Sequence, residues 1–395
     1  MKTLLAFSGG LDTSFCLLWL RQQQREVHTI TVDTGGFDAS ELVRIEKLAR
    51  DLGAISHTTI DAREEFFRDY LRFLLAGNVL RGGLYPLSVS AERVCQARRV
   101  VGHGLQLGVG ALAHGSTGAG NDQVRFDVVF RALAPQLEIV TPIRDLALSR
   151  AEERSFLAER GFTFPEKVEQ YSINEGMWGT SIGGKETHDS WQHLPDAAYP
   201  GGEIDGNLSP RSLTIGFEGG IPRRVDDAPA SSVAIIAKLN EIGRQYGIGR
   251  GIHLGDTILG IKGRVGFEAP AAHLLIVAHR ELEKLVLTGK QMFWKEHFGN
   301  LYGTLLHEAQ FLDPVARDLE AFLASSQARV TGEVRLRMRP YSFTVEGVRS
   351  PHTLMRSDAS YGEGTSLWTG AEAATFAKVF GVSQTLAMGA QKGEA

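Results

Sequence analysis

Near the start of the chain, Ser8-Gly9-Gly10-Leu11-Asp12-Thr13-Ser14 places two glycines and three hydroxyls where a strand hands over to a helix. Two glycines open backbone angles closed to other residues and let the chain approach a ligand closely. The helix N-terminus adds unpaired N–H groups and the positive end of a dipole. With the hydroxyls of Ser8, Thr13 and Ser14, that donor set suits a pyrophosphate. A plainer reading is a tight strand-to-helix turn with Asp12 as its cap. The loop is not a Walker loop; the nearest string, Gly179 to Lys185, carries Glu186 where the magnesium-binding hydroxyl belongs. No G-x-G-x-x-G dinucleotide fingerprint occurs at the loop either.

A second polar concentration lies at His114-Gly115-Ser116-Thr117-Gly118-Ala119-Gly120-Asn121-Asp122-Gln123-Val124-Arg125-Phe126-Asp127. Hydroxyl, amide and guanidinium donors from Thr117, Asn121 and Arg125 suit carboxylates, and the Asp122 carboxylate suits an α-ammonium. An amino-acid site is the direct reading; a hydrogen-bonded surface turn is the bland one. The histidines make no metal motif: there is no H-E-x-x-H, His188 and His193 fall off one helical face, and His307-Glu308 lacks a second histidine. A structural or surface role is expected of them, and no metal ligand set is assigned.

These residues need elements to position them. Short β-rich runs at Thr3–Phe7, Val27–Val32, Ile55–Ile60 and Gly110–His114 alternate with helical stretches Asp12–Gln24, Ala39–Leu52, Ala62–Leu75 and Ala91–Leu107. That alternation predicts an α/β, doubly wound parallel sheet over residues 1–165, with ligands beyond the carboxyl ends of its strands. From 166 to 355 an α+β domain is expected. It opens with a Gly-, Pro- and Ser-rich region (Ser172 to Pro222) read as long loops, followed by helices at Ser231–Tyr246, Ala278–Thr288 and Trp294–Glu308. A strand pair then follows at Val330–Arg339 and Phe343–Val348. Arg335, Arg337 and Arg339 alternate with Leu336 and Met338, the pattern of a solvated strand face. Residues 356–395 form a C-terminal arm whose helix, Ala371–Phe380, is expected to pack on another subunit.

With 42 basic and 46 acidic residues the net charge is -4, which gives no reason to expect nucleic acid or a membrane surface as a partner. Cys16 and Cys95 make no disulfide framework, and Cys16 is expected to be a core thiol. The chain starts at once with a strand-like run rather than a leader, and no apolar window is long enough to span a bilayer, so a cytoplasmic protein is expected.

The string SGGLDTS resembles the pyrophosphate loop of the ATP pyrophosphatase superfamily, whose members split ATP between the α- and β-phosphates. HGSTGAGNDQVRF resembles the signature of argininosuccinate synthase. Further similar strings run from Thr3 to Pro351: Tyr85-Pro86-Leu87 with Ser90, Tyr171-Ser172-Ile173, Met177 to Ile182, Leu239 to Ile242, Gly247 to Arg250, Gly260 to Lys262 and Ala278 to Glu283. The resemblance implies ATP on Ala6, Phe7, Ser8, Gly9, Gly10, Leu11, Asp12, Thr13, Ser14, Val32 and Gly115. It implies aspartate on Thr117, Asn121 and Asp122, and citrulline on Tyr85, Ser90, Asn121, Arg125, Ser172 and Ser181. Mg2+ would accompany the nucleotide, with Asp12 either its ligand or a helix cap. Asp12, Asp122 and Arg125 are the side chains on which the chemistry is expected to depend. A homotetramer held by the C-terminal arm is likewise implied.

Two positions depart from that family's pattern. Where its typical members carry a Glu and, twelve residues on, a Tyr that contact citrulline, this chain has Gly255 and Phe267. A slip of one residue would offer Asp256 in place of the missing acid and keep free citrulline as substrate. Without it, the smaller and more apolar wall would suit an N-acylated citrulline. Two rivals fit the pyrophosphate loop less well. A tRNA-modifying enzyme would want a basic surface and usually a catalytic cysteine or zinc pair, and an amidotransferase would want a glutaminase domain.

Overall fold

In the first strand, β1 (Lys2–Ala6), Leu4 and Leu5 are both fully buried, which requires packed layers on both faces of its sheet. The computed structural model describes residues 1–164, 171–355, 359, 362 and 364–392, and it supplies those layers. β2 (Glu26–Asp33), β3 (Ser56–Asp61), β4 (Ala111–Ala113) and β5 (Glu138–Val140) join β1 in the order β3-β2-β1-β4-β5, all pairs parallel. Leu4, Ile30 and Leu112 face one core with Val94, Val101 and Phe130 of the helices Ser90–Leu107 and Asn121–Leu133. Leu5, Val27 and Ala113 face the other with Phe15, Leu17 and Ile45 of Leu11–Gln22 and Ala39–Asp51. Strand order reverses at β1, so the loops after β1 and β4 leave the sheet side by side. That crevice is where an open α/β sheet binds ligands.

The rest of the chain to Ser350 contributes two antiparallel sheets. β6 (Tyr171–Asn174), β7 (Thr180–Gly184), β11 (Arg250–Asp256) and β12 (Lys262–Glu268) run in the order β11-β12-β7-β6. β8 (Arg211–Glu218), β9 (Ile221–Val225), β10 (Ala228–Pro229), β13 (Gly332–Arg339) and β14 (Ser342–Arg349) run in the order β10-β9-β8-β13-β14. On β13, Val334, Leu336 and Met338 are buried while Arg335, Arg337 and Arg339 are exposed, the alternation the basic tract predicted. The parallel sheet with its helices and the antiparallel sheets together make a mixed α/β fold.

Three elements differ from the sequence expectation. The region from Ser172 to Pro222 is not all loop: β6, β7 and β8 lie within it. Some of its glycines sit at turns, as Gly219 and Gly220 with φ of +55° and +76°, which link β8 to β9, while Gly183, Gly184 and Gly216 lie within strands. The helix expected at Ala278 starts at Pro270, because Ala271, Ala272, Leu274, Leu275 and Ile276 are all buried and show no amphipathic period. A second terminal helix, Val382–Lys392, follows Gly370–Phe380, where only one helix was expected in the arm.

Residues up to Ser350 form one compact unit and those from Pro351 another. Within the first, a buried polar chain joins the early helices to the late ones. Lys295 Nζ donates to the Ala76 carbonyl and sits 2.9 Å from Glu283, which also accepts from Asn78 and Gln327. His279 bridges Asn78 and Gln327. Removing one member of such a buried pair costs about 3–5 kcal/mol, so this chain ties helix packing to a single register.

Candidate active site

The turn after β1 is held at both ends. Phe7 N–H donates to the Ile30 carbonyl at 2.8 Å, and Thr31 Oγ1 donates to the Phe7 carbonyl at 2.6 Å. Gly9 has φ +70°, and a Cβ there would lie 2.9 Å from Ile45 Cγ1, so only glycine fits without strain. Gly10 occupies the N-cap position with no side-chain cap, and the helix begins at Leu11. Asp12 is therefore in the first turn rather than at the cap. Its carboxylate faces Glu153, whose pKa is raised by burial first and by Asp12 second. Ser8 Oγ and Thr13 Oγ1 lie 3.3 Å apart, and Ser14 Oγ is buried without a hydrogen-bond partner. The helix N-terminus is thus bare of side-chain acceptors and surrounded by hydroxyls.

The loop after β4 closes against that turn. A Cβ on Gly115 would lie 3.2 Å from Thr13 Cγ2 and 3.3 Å from the Thr13 nitrogen, so glycine allows the two loops to touch. His114, buried above β4, meets Asp127 at 2.9 Å and accepts the Ser116 N–H at 3.2 Å, which fixes the loop's exit. Val32 is the penultimate residue of β2, its carbonyl accepting from Gln96 Nε2 at 3.5 Å. A cavity of about 610 Å³ opens beside Gly35 and Phe37 of the loop after β2, bounded across it by Asn240 and Arg244.

Asn121, Asp122 and Arg125 lie in the first turns of the helix that follows, again with a glycine N-cap and no side-chain cap. Arg125 is buried and fully engaged: it donates to Asp122 at 2.8 Å, to Ser90 Oγ at 3.0 Å and to the His307 carbonyl at 3.1 Å. Ser90 Oγ also meets His307 Nδ1 at 3.1 Å. Asp122 bridges two guanidinium groups, accepting from Arg93 Nε at 2.9 Å as well. Burial would raise the Asp122 pKa, but Arg93 and Arg125 outweigh it and lower it to about 2. His307 is pushed down to about 3 by burial and by Arg125, so it is neutral. Its Nε2 is buried without a partner.

The remaining sequence-predicted residues distribute as follows. Tyr85 is buried, with its hydroxyl accepting from Ser88 Oγ at 3.2 Å. Its ring stacks on His253 and tilts against Phe267. Ser181 on β7 is in register with Phe267 on β12, so it belongs to the same wall. Asn121 Oδ1 accepts the Ile258 N–H at 2.9 Å and joins the helix to the β11–β12 turn. Thr117 and Ser172 are exposed, the latter on β6, two strands from β12.

The structure adds Arg93, His307, His253 and Glu92, which motif reading missed. Arg93 was within reach, since it stands one turn beyond Ser90 on one helix face. His307 was not, because nothing local links it to a residue 182 positions away. Glu92 is buried beside Arg93, with Oε1 lacking a partner and burial raising its pKa to about 8. The β11–β12 register runs without a slip from Arg250↔Glu268 to Asp256↔Lys262. Asp256 therefore points away from Gly255's face and pairs with Lys262 at 2.6 Å instead of replacing the missing acid.

Among the described residues no group of three or more His, Cys, Asp or Glu could hold a metal ion. Beside the turn, Glu153 is buried and its pKa is raised to about 8, so it is mostly uncharged, and Asp12 is the carboxylate that could meet a Mg2+ held chiefly by phosphates and water.

Comparison with known proteins agrees with the geometry. The family model for the arginosuccinate synthase N-terminal HUP domain matches residues 2–163, and that for the arginosuccinate synthase C-terminal domain matches 171–387. An argininosuccinate synthase of Xanthomonas axonopodis pv. citri is 42% identical, covering 97% of this chain and 93% of the relative. One from Dictyoglomus turgidum is 39% identical over 98% and 97%, and one from Methanocaldococcus jannaschii 39% over 89% of each. A solved structure described as a predicted subunit of tRNA methyltransferase from Methanocaldococcus jannaschii shares 17% identity. It covers 41% of this chain and 90% of that one with a TM-score of 0.28, too slight a likeness to bear on fold or activity. With both family models matched across the chain and relatives 39–42% identical over most of it, the protein belongs to the argininosuccinate synthase family.

Proposed function

We propose that the chain catalyses the argininosuccinate synthase reaction, an AMP-forming ligation of a citrulline-type ureido group to aspartate. The ureido oxygen attacks the α-phosphorus of ATP, giving a ureido-adenylate and pyrophosphate. The aspartate amine then attacks the ureido carbon, and AMP leaves with that oxygen. The observation that carries this reading is the contact of the Gly115 loop with Thr13, which sets the anion cradle beside the Asp122–Arg125–Ser90 cluster.

In this reading the N–H groups and hydroxyls of residues 8–14 hold the leaving pyrophosphate, and Val32 and Gly115 complete the nucleotide site. Asp122 receives the aspartate ammonium, and the donors of Asn121 and Thr117 receive its carboxylates. Arg125, with Tyr85, Ser90, Ser172 and Ser181, orients the ureido substrate. No residue forms a covalent intermediate; positioning and charge stabilisation are the protein's contribution. Mg2+, held by the phosphates and the Asp12 side, would offset charge on the departing pyrophosphate. Among the described residues no helix is long and apolar enough to cross a membrane, and we take the enzyme to work in the cytoplasm as a homotetramer. The test is isotopic: with citrulline labelled by 18O in its ureido group, the AMP released should carry the label. Unlabelled AMP would exclude the adenylate route.

A further inference from the structure

Among the described residues, the wall beside Tyr85 has no available acid. His253 stacks on Tyr85 with ring centroids 5.4 Å apart, and Phe267 tilts against the same ring at 5.3 Å. The space a side chain at Gly255 would need is filled, since its Cβ would lie 2.5 Å from His253 Nε2. The charged groups that act most on Tyr85, His253 and His307 are Arg81, Arg125 and one carboxylate, Asp122. That carboxylate is shared by Arg93 and Arg125 and is the one assigned above to the aspartate ammonium, so it is not free for a second one. Asp256 lies on the opposite face of β11 with Lys262, and Glu92 is buried against Gly176 with its pKa raised to about 8, so it is mostly uncharged at neutral pH.

Among the described residues, an α-ammonium delivered to this wall meets guanidinium groups and aromatic faces but no unclaimed carboxylate. Losing a charge-assisted hydrogen bond of that kind costs more than about tenfold in affinity. An α-nitrogen carried as an amide has no charge to satisfy, and its acyl tail is apolar or, if it ends in a carboxylate, complementary to Arg81. The segment beside the wall is open to solvent, which gives the tail an exit: Gly82, Gly83 and Leu84 are exposed, and Gly82 packs against His253, its Cβ position 3.2 Å from Cε1.

We propose that the site accepts a citrulline acylated on its α-nitrogen, turning it over at least as well as citrulline itself. The inference rests on the ligase reading above and changes only the α-nitrogen of the ureido substrate; the acyl group takes no part in bond making. The test is AMP formation by the full chain with ATP, Mg2+ and aspartate saturating, comparing citrulline, N-acetylcitrulline and N-succinylcitrulline. A kcat/KM for either derivative at or above that of citrulline is expected. Citrulline ahead of both by about tenfold or more would overturn the inference and leave the ligase reading standing. No AMP from any of the three would remove both.

A variant gives an independent readout. Gly255→Glu combined with His253→Ala clears the space and installs the absent carboxylate. It should move the ratio of kcat/KM for citrulline over that for the preferred derivative by about tenfold towards citrulline. An unmoved ratio, in a variant still forming AMP, would show that this wall does not read the α-nitrogen.

Discussion

Asp122 sits between the groups assigned to both amino-acid substrates. It neutralises Arg93 and Arg125 at once, so Asp122→Asn leaves two neighbouring guanidinium groups without their shared charge. The KM for aspartate should rise by about tenfold or more, roughly 1.4 kcal/mol, while that for ATP stays within about threefold. Equal rises for aspartate and ATP would contradict the role assigned to Asp122. His307 belongs to the same cluster and has a pH signature. Its folded pKa of about 3 is below the ordinary histidine value, so the folded protein resists a proton that the unfolded chain accepts. Stability from this group is complete above about pH 6.5 and falls, by ~1.4 kcal/mol per pH unit, as pH drops towards 3. Urea midpoints measured at pH 7 and pH 5 should show His307→Asn losing less stability over that interval than the parent. Identical losses would mean that His307 titrates normally.

At the scale of elements, the turn proposed to hold pyrophosphate depends on strand, turn and helix leaving Gly9 in the left-handed region. Gly9→Val places a β-branched residue at φ +70°, a strain of about 1–3 kcal/mol, with its Cβ against Ile45. AMP formation should fall by more than about a hundredfold, some 2.7 kcal/mol, while circular dichroism retains the native helix content. Turnover like that of the parent would sink the cradle assignment. The β11–β12 hairpin shows the same dependence on register. Because pairing runs unbroken, a residue one position along faces away, and Asp256 cannot stand in for an acid at 255.

For the molecule as a whole, the segment after Ser350 contributes helices Gly370–Phe380 and Val382–Lys392 with no buried residue, and it exposes Phe376, Val379, Phe380, Leu386 and Met388. Apolar side chains in such number invite burial by another copy of the chain. Light scattering should find the full chain as a tetramer and a chain ending at Ser350 as a smaller species. A full-length monomer would end the assembly proposal.

How much of this was legible in the sequence depended on how local each feature is. The parallel sheet's first four strands and the helices between them showed in alternating periods, and the pyrophosphate turn showed in glycines and hydroxyls that act within a few residues of each other. The helix from Pro270 was hidden at its start because a segment buried all round has no polar face to mark its period. Strands β6 to β8 were hidden among glycines, some at turns and some within the strands. The cluster of Ser90, Arg93, Asp122, Arg125 and His307 was decided only by tertiary structure. Its members come from three helices far apart in sequence, and whether Arg125 is free or caged depends on which groups those helices bring within hydrogen-bond reach. The same holds for the wall at Tyr85: Gly255 and Phe267 could be read as departures, but only folding put His253 into the vacated space and turned Asp256 away.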